Sequence, residues 1–397
     1  MIKIKKIIID FVLNIAASTI PLILLQYFIL PYIAKKIGTN NYGTIILILG
    51  IINIIVSAFG NSLNNGRLVD NKIYEKIKGD YSIILIIFSI STIISSVLAL
   101  KIYNIKIFNL SSSVIIIAIL LSVVNSYISV EFRIKLSYKK ILLSKLFLTI
   151  GYIIGFLIFT NTLEWQYIIV SGYAFEFIYC LCSTSIWKEP LKITSNFKKT
   201  IKRVLYLLVS SFIGSTLIYF DRLLIYPIFG GSELSFYYAA SIVGKTVSLI
   251  SSPVTSVVLS YISRTVKITK KQYIIYSSII VSLSVVGFIF CICISRPIIL
   301  ILYPDLLSGS LKYIPYVVFG SMLSLIYSFL WPIVLKFGNE SYPVIIIIIK
   351  TIIYIGTVMI LIKLIGIFGI IYANLLASLI QLILIFILGF KITKNNN

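Results

Sequence analysis

The sequence contains no histidine, and only 12 of its 397 residues are aspartate or glutamate. Without imidazole, the chain lacks the usual general base at neutral pH and a common zinc ligand. Cysteine is also scarce: the four cysteines form two C-x-C pairs inside apolar runs, Cys180 with Cys182 and Cys291 with Cys293. We interpret both pairs as apolar packing residues, which predicts neither a metal site nor a disulfide framework.

Hydrophobic residues make up 59% of the chain and charged residues only 12%, unlike a soluble domain. An apolar run of about 18 residues or more can cross a bilayer as a helix. These runs lack the alternation that a membrane β-barrel requires, so we predict helices. The sequence therefore predicts an all-α polytopic membrane protein with about twelve transmembrane helices. The runs cover residues 10–34, 42–66, 81–101, 111–131, 141–160, 164–186, 204–229, 236–262, 274–295, 313–335, 343–363 and 366–390.

Positive charge is concentrated in alternate gaps between the apolar runs, beginning with Lys3, Lys5 and Lys6. Under the positive-inside rule, this pattern places both termini in the cytoplasm. The first run is too long for the apolar part of a signal peptide, so we expect it to be a retained span. Contact with anionic membrane lipids explains the net charge of +23 more simply than nucleic-acid binding, which we do not expect.

The largest gap, residues 187–203, divides the chain into halves of nearly equal length. It predicts a six-helix lobe at 1–190, a basic cytoplasmic connector at 191–203 and a second six-helix lobe at 204–397. A basic connector between equal halves is typical of transporters whose halves are parallel repeats.

Charged residues inside apolar runs are costly, at about 2.5–3.5 kcal/mol each, and call for a partner, a cavity or a function. Arg222, Lys245 and Lys350 outnumber Asp221 and Glu176 at such positions. A site with surplus positive charge suits an anionic substrate such as a diphosphate. We therefore predict that the three cations bind substrate.

Asp221 and Lys245 both lie about 12–14 Å deep in neighbouring predicted helices, which predicts an ion pair. Arg222 then projects elsewhere, either into a central cavity or towards Glu176 in a purely structural salt bridge. Glu176 is either a carrier of a proton or cation, or a silent partner for a positive charge.

Arg67 and Lys145 lie near inner ends of their runs, where long basic side chains reach the interface. We expect Lys145 to be an anchor. Arg67 is expected to help recruit an anionic headgroup as well, so it joins the predicted substrate-binding set.

Three motifs in this order resemble the Wzx-type polysaccharide flippases of the multidrug/oligosaccharidyl-lipid/polysaccharide exporter superfamily. The first is L-P-Y-I-A-x3-G-x3-Y-G at residues 30–43. The second combines Asp221-Arg222 with Gly230-Gly231 and the Y-Y-A-A sequence at 237–240, and the third is G-x2-G-x3-A at 366–373. Together with about twelve spans, the resemblance covers the whole chain.

The resemblance implies that the protein moves undecaprenyl-diphosphate-linked oligosaccharide across the bacterial cytoplasmic membrane by alternating access. The product would serve O-antigen, lipopolysaccharide, capsule or a related polymer, with a polysaccharide polymerase and a chain-length regulator as partners beside the membrane lipids. The family is thought to hold the anionic headgroup in a cationic lumen, which fits Arg222, Lys245, Lys350 and Arg67. No cofactor is implied, and coupling to a proton or sodium gradient stays open.

Two other classes compete with this interpretation. A membrane-embedded polysaccharide enzyme would need features the sequence lacks, such as a large outer loop, acidic residues in the first outer loop, or the histidine of an acyltransferase. We therefore expect no enzymatic activity. A drug or cation antiporter of the same superfamily is the stronger alternative, although its lumen would be expected to carry carboxylates rather than surplus cations.

Overall fold

The computed structural model describes residues 2–70, 74–106, 109–262, 267–339 and 342–395. Nearly all of these residues are helical, and no strand occurs among them. The predicted all-α polytopic fold is confirmed. The chain forms two compact units, Met1–Ile228 and Phe229–Asn397, which we describe separately.

In the first unit, two continuous stretches of helix each contain a short π-helical segment. The first stretch consists of α1, a π segment at Leu24–Ile29 and α2. The second consists of α3, a π segment at Val56–Asn61 and α4. The helices are α1 (Ile2–Ile23), α2 (Leu30–Ile37), α3 (Thr39–Ile55), α4 (Ser62–Val69), α5 (Tyr74–Ile102), α6 (Leu110–Ile128), α7 (Val130–Ile134), α8 (Tyr138–Thr162), α9 (Gln166–Ser183) and α10 (Phe197–Ile262), which continues into the second unit.

In the second unit, α10 is interrupted at Gly230, whose backbone has φ 84° and ψ 174°. This conformation is essentially restricted to glycine. Gly38, between α2 and α3, adopts nearly the same conformation, with φ 80° and ψ 164°. The remaining helices are α11 (Lys270–Leu302), α12 (Leu307–Ser310), α13 (Ile314–Phe337), α14 (Tyr342–Ile365) and α15 (Ile367–Asn395).

Ten helices among the described residues are long and apolar enough to cross a membrane. The sixth predicted span is also a helix, α9, although Gln166 and Glu176 make it less apolar. The eighth predicted span falls in the later part of α10. The chain is a multi-pass membrane protein.

Close helix packing in the first unit depends on glycine. A Cβ atom at Gly155 would lie 2.5 Å from the Ile168 Cα, and one at Gly151 would lie 2.5 Å from the Ser171 backbone oxygen. Small residues four apart let membrane helices approach closely. The G-x3-G sequence of α8 thus sets the separation between α8 and α9.

The boundary between the two compact units falls at Ile228–Phe229. The residues between α9 and α10, numbers 184–196, lie within the first unit and include the start of the predicted basic connector. The predicted boundaries of the two six-helix lobes, at 1–190 and 204–397, stay predictions.

Candidate functional site

Two adjoining cavities lie inside the first unit. The tyrosine cavity has a volume of about 260 Å³ and is lined by Tyr152, Tyr173 and Tyr219 together with apolar residues, Gln26 and Asn53. The amide cavity has a volume of about 280 Å³. Most of its lining carries amide or hydroxyl groups, namely Asn14, Asn61, Asn64, Asn125, Ser122, Ser126, Ser129 and Ser144.

Each π-helical segment contributes to one cavity. Leu25 and Gln26, in the first segment, line the tyrosine cavity. Val56 and Asn61, in the second segment, line the amide cavity. A π segment shifts the following side chains around the helix axis, and such segments are frequent at functional sites.

Lys145 on α8 and Tyr173 on α9 line both cavities. The Lys145 Nζ atom lies 2.6 Å from the Glu176 Oε1 atom, and the Glu176 side chain is 1% exposed. Both residues lie about 10 Å from the helix ends at Tyr138 and Ser183, at 1.5 Å per residue. Lys145 therefore faces both cavities at membrane depth, and its partner Glu176 lines the amide cavity.

Asn125 on α6 extends this polar site. Its Nδ2 atom donates to the Tyr173 backbone oxygen at 2.9 Å and approaches the Glu176 Oε2 atom at 3.5 Å. The residue is buried, and its Oδ1 atom accepts no hydrogen bond from the described groups. An unsatisfied buried amide oxygen is costly and marks a place where a ligand or water can donate.

Arg133 adds a second cation to the lining of the amide cavity. It is exposed, and its Nη1 atom donates to the Asn64 Oδ1 atom at 3.1 Å. Asn64 is itself fixed, because its Nδ2 atom donates to the Ser126 backbone oxygen at 2.6 Å. With Lys145 and Arg133 facing one carboxylate, Glu176, the described lining carries net positive charge.

Arg222 lies beside the tyrosine cavity. Its guanidinium carbon is 4.8 Å from the centre of the Tyr219 ring, and its side chain runs past Gly50, where a Cβ atom would be 3.5 Å from the Arg222 Cδ atom. Asp221 accepts the backbone N–H of Arg222 at 2.8 Å. One predicted alternative was a salt bridge between Arg222 and Glu176. In the structure, Glu176 instead pairs with Lys145.

The other predicted cations lie in different surroundings. The side chain of Lys245 falls outside the described residues, so its pairing with Asp221 stays a prediction. Lys350, on α14 in the second unit, is half-buried and has no carboxylate at ion-pair distance among the described side chains. An uncompensated ammonium at membrane depth is costly unless it serves a ligand.

Arg67 is placed in a different cluster. Its side chain is 3% exposed, and its Nη2 atom lies 2.7 Å from the Glu189 Oε1 atom. The guanidinium also donates to the Tyr127 hydroxyl at 3.1 Å. Arg67 is not among the described lining residues of either cavity, and its predicted role in substrate binding stays a prediction.

Sequence reasoning missed two residues that the structure brings to the cavities: Asn125, and Lys145, which was expected only to be an anchor. Arg133 was expected only to help recruit the headgroup at the inner leaflet. A signal was present in the amides that interrupt apolar runs, such as Asn53 and Asn125. Buried amides need hydrogen-bond partners, so several in one set of spans predict a polar interior. Their convergence depends on packing between helices, which spacing along the chain does not reveal.

No protein-family model and no curated protein sequence matches this chain. Solved structures do. A multidrug resistance MATE family transporter of the MOP superfamily, in an inward-facing conformation, is similar with a TM-score of 0.66 and 15% identity, covering 97% of this chain and all of the other. The Vibrio cholerae MATE transporter VcmN, in its bent form, is similar with a TM-score of 0.58 and 12% identity, covering 99% of this chain and 97% of the other.

The lipid II flippase MurJ, in an inward closed conformation, is similar with a TM-score of 0.69 and 14% identity, covering 98% of this chain and 89% of the other. At these identities, the likeness establishes the fold alone. The chain has the fold shared by the MATE transporters and MurJ.

Proposed function

We propose that this protein is a transporter that flips a lipid-linked oligosaccharide diphosphate from the cytoplasmic to the outer leaflet of a bacterial cytoplasmic membrane. The amide cavity and the Lys145–Glu176 pair form part of its headgroup path. Transport would proceed by alternating access, with undecaprenyl diphosphate as the lipid carrier. The oligosaccharide would serve a surface polymer such as O-antigen or capsule.

The observation that carries this proposal is the chemistry of the amide cavity. Amide and hydroxyl groups can both donate and accept hydrogen bonds, as a sugar ring requires. Lys145 and Arg133 supply positive charge for phosphate, and the Arg133 guanidinium can hold two phosphate oxygens at once. Arg222, beside the neighbouring cavity, would add a cationic contact along the path, and substrate binding by Lys350 stays a prediction for the second unit.

Glu176 gives the site a means of coupling. When a phosphate group attracts the Lys145 ammonium, the Glu176 carboxylate loses its partner at 2.6 Å and stays buried. A buried carboxylate without a cation favours binding of a proton or a metal cation. Headgroup binding would thus replace Lys145 by a proton or a sodium ion as the partner of Glu176, and this exchange would link transport to a proton or sodium gradient.

A drug or cation antiporter is the second candidate. Glu176, buried at membrane depth, and the fold likeness to MATE multidrug transporters favour it. The amide cavity argues against it, since lipophilic cations prefer aromatic walls and unpaired carboxylates. In this candidate, Lys145 would have to leave Glu176 before a drug cation could bind.

Reconstituted vesicles separate the two candidates. We expect purified protein to accelerate the movement of a fluorescent polyprenyl-diphosphate oligosaccharide to the outer leaflet, measured by its exposure to a membrane-impermeant reductant. Lys145→Met together with Glu176→Leu should abolish this movement. Gradient-driven accumulation of ethidium without any movement of the glycolipid would favour the antiporter and remove the flippase proposal.

The proposed sidedness has its own test. Reporter fusions at Asn397 and within residues 192–199 should both behave as cytoplasmic. A signal from the outer side at either position would overturn the predicted topology and the side assignments that depend on it.

A further inference from the structure

The segment that connects α9 to α10, residues 184–196, is held firmly against the first unit. The backbone N–H and the hydroxyl of Ser185 both donate to Glu131, at 2.8 and 3.1 Å. The backbone N–H and the hydroxyl of Thr194 both donate to Asp80, at 2.7 Å each. Because Asp80 is fully buried, these bonds fix which side of the segment faces outward.

Two ion pairs extend the same attachment. Glu189, within the segment, pairs with buried Arg67 at 2.7 Å. Arg203, just beyond it on α10, pairs with buried Asp70. The acidic groups of this region therefore point inward and are occupied. The inward carboxylates are those of Asp70, Asp80, Glu131 and Glu189.

The outward side of the segment is apolar at its centre. Leu191 is 68% exposed and Ile193 is 60% exposed. The backbone of Lys192, between them, lies against Gly79, where a Cβ atom would be 2.2 Å from the Lys192 backbone oxygen. Two large aliphatic side chains are thus exposed on a stretch of backbone that packs closely against α5.

Five lysines within the segment or in the first turns of α10 are also exposed, whereas the carboxylates face inward. They are Lys188, Lys192, Lys198, Lys199 and Lys202. The outward surface of the connecting segment and the first turns of α10 is therefore cationic and apolar at the same time.

The exposed face of α10 continues this surface towards the membrane interior. Lys198, Lys202, Tyr206 and Val209 follow at helical spacing. The Lys202 Nζ atom lies 6.0 Å from the centre of the Tyr206 ring, and Tyr206 and Val209 are 68% and 53% exposed. Lysine, then tyrosine, then aliphatic residues is the order in which a helix passes from water through the headgroups into lipid.

We propose that the outward surface of residues 188–202 is an interfacial anchor that binds the anionic phospholipid headgroups of the leaflet on its side. Leu191 and Ile193 insert at the headgroup boundary while the five lysines contact lipid phosphates. Apolar insertion combined with positive charge is what holds peripheral segments on anionic membranes. The proposal is independent of the transported substrate.

A fluorophore at position 191 tests the anchor directly. In a full-length background with the exposed cysteines changed (Cys182→Ser and Cys293→Ser), Leu191→Cys carries an environment-sensitive label. The protein is reconstituted in phosphatidylcholine alone or with an equal part of phosphatidylglycerol. We expect quenching by headgroup-depth spin-labelled lipid to be strongest with phosphatidylglycerol and to fall at high salt.

Removing charge should weaken the interaction selectively. The triple change of Lys192, Lys198 and Lys199 to Gln should raise the phosphatidylglycerol fraction needed for half-maximal quenching severalfold, since each surface lysine is worth roughly fivefold in affinity. Lys35, Lys101 and Lys106 are also exposed and serve as the matched control. Changing these three to Gln should leave the phosphatidylglycerol fraction for half-maximal quenching unchanged. A label that stays in water in both lipid mixtures would overturn the proposal and indicate a surface for a soluble partner.

Discussion

Two ion pairs in the first unit have nearly the same geometry and different surroundings. Arg67 lies 2.7 Å from Glu189, and Lys145 lies 2.6 Å from Glu176. The Arg67 side chain is 3% exposed and also contacts Tyr127, whereas the Lys145 side chain is 34% exposed and opens on two cavities. Distance alone thus does not separate a structural charge from a functional one. We propose that room for a ligand beside the cation does separate them.

The largest expected effect is on stability at the enclosed pair. Arg67→Ala should remove the cation that lies 2.7 Å from the largely buried Glu189 carboxylate, and breaking a comparable buried pair costs about 3–5 kcal/mol. We expect a marked drop in thermal stability of the detergent-solubilised protein. The double variant with Met at 67 and Leu at 189 should recover most of it. A single variant as stable as the parent would show that this pair does not hold the connecting segment.

The separation of α8 and α9 should matter nearly as much, because these helices carry Lys145 and Glu176. Gly155→Val would force side-chain atoms against the Ile168 backbone, and overpacking of this kind costs about 1–3 kcal/mol. Thermal stability and flipping should fall together. Gly214→Ala is the control, because nothing lies within 4 Å of its Cβ position, and it should be neutral or slightly stabilising. Equal behaviour of the two variants would remove the close-packing argument.

Cations beside the cavities should affect transport rather than stability. Arg222→Ala would remove a charge-assisted contact worth about 1.5–3 kcal/mol, so flipping should fall at least tenfold while membrane accumulation is retained. Arg222→Lys should recover only part of the activity, because an ammonium loses the forked geometry. Flipping at the parental rate in a stable Arg222→Ala protein would leave Arg222 a packing residue on Tyr219.

The smallest effect is expected at Lys350. Its position on α14 is about 10 Å from the predicted cytoplasmic end of that span, and the positive-inside pattern predicts other basic residues at the cytoplasmic leaflet that can also attract the headgroup. Lys350→Ala should therefore slow flipping less than Arg222→Ala under identical assay conditions. A larger loss for Lys350 than for Arg222 would move the main anion contact to the second unit.

The sequence predicted the helices well, because the length of an apolar run and the cost of unsatisfied backbone groups in lipid leave little choice of structure. It did not predict the partners of the charges. Glu176 pairs with Lys145, 31 positions away, and Arg67 pairs with Glu189, 122 positions away. Run lengths and charge sums carry no information about which helix faces which. The sequence also did not predict the two π-helical segments, since no residue type marks them.

Two matched double variants test the central claim most directly. Lys145→Met with Glu176→Leu and Arg67→Met with Glu189→Leu each replace a whole ion pair by apolar residues of similar size, a change that buried pairs often tolerate. Both proteins should fold and reconstitute, and flipping of a fluorescent polyprenyl-diphosphate oligosaccharide should be lost in the first. We expect flipping to be retained in the second, a result that would also remove Arg67 from the predicted substrate-binding set. Parental flipping by the Lys145–Glu176 variant would contradict the account and place the headgroup path away from these cavities.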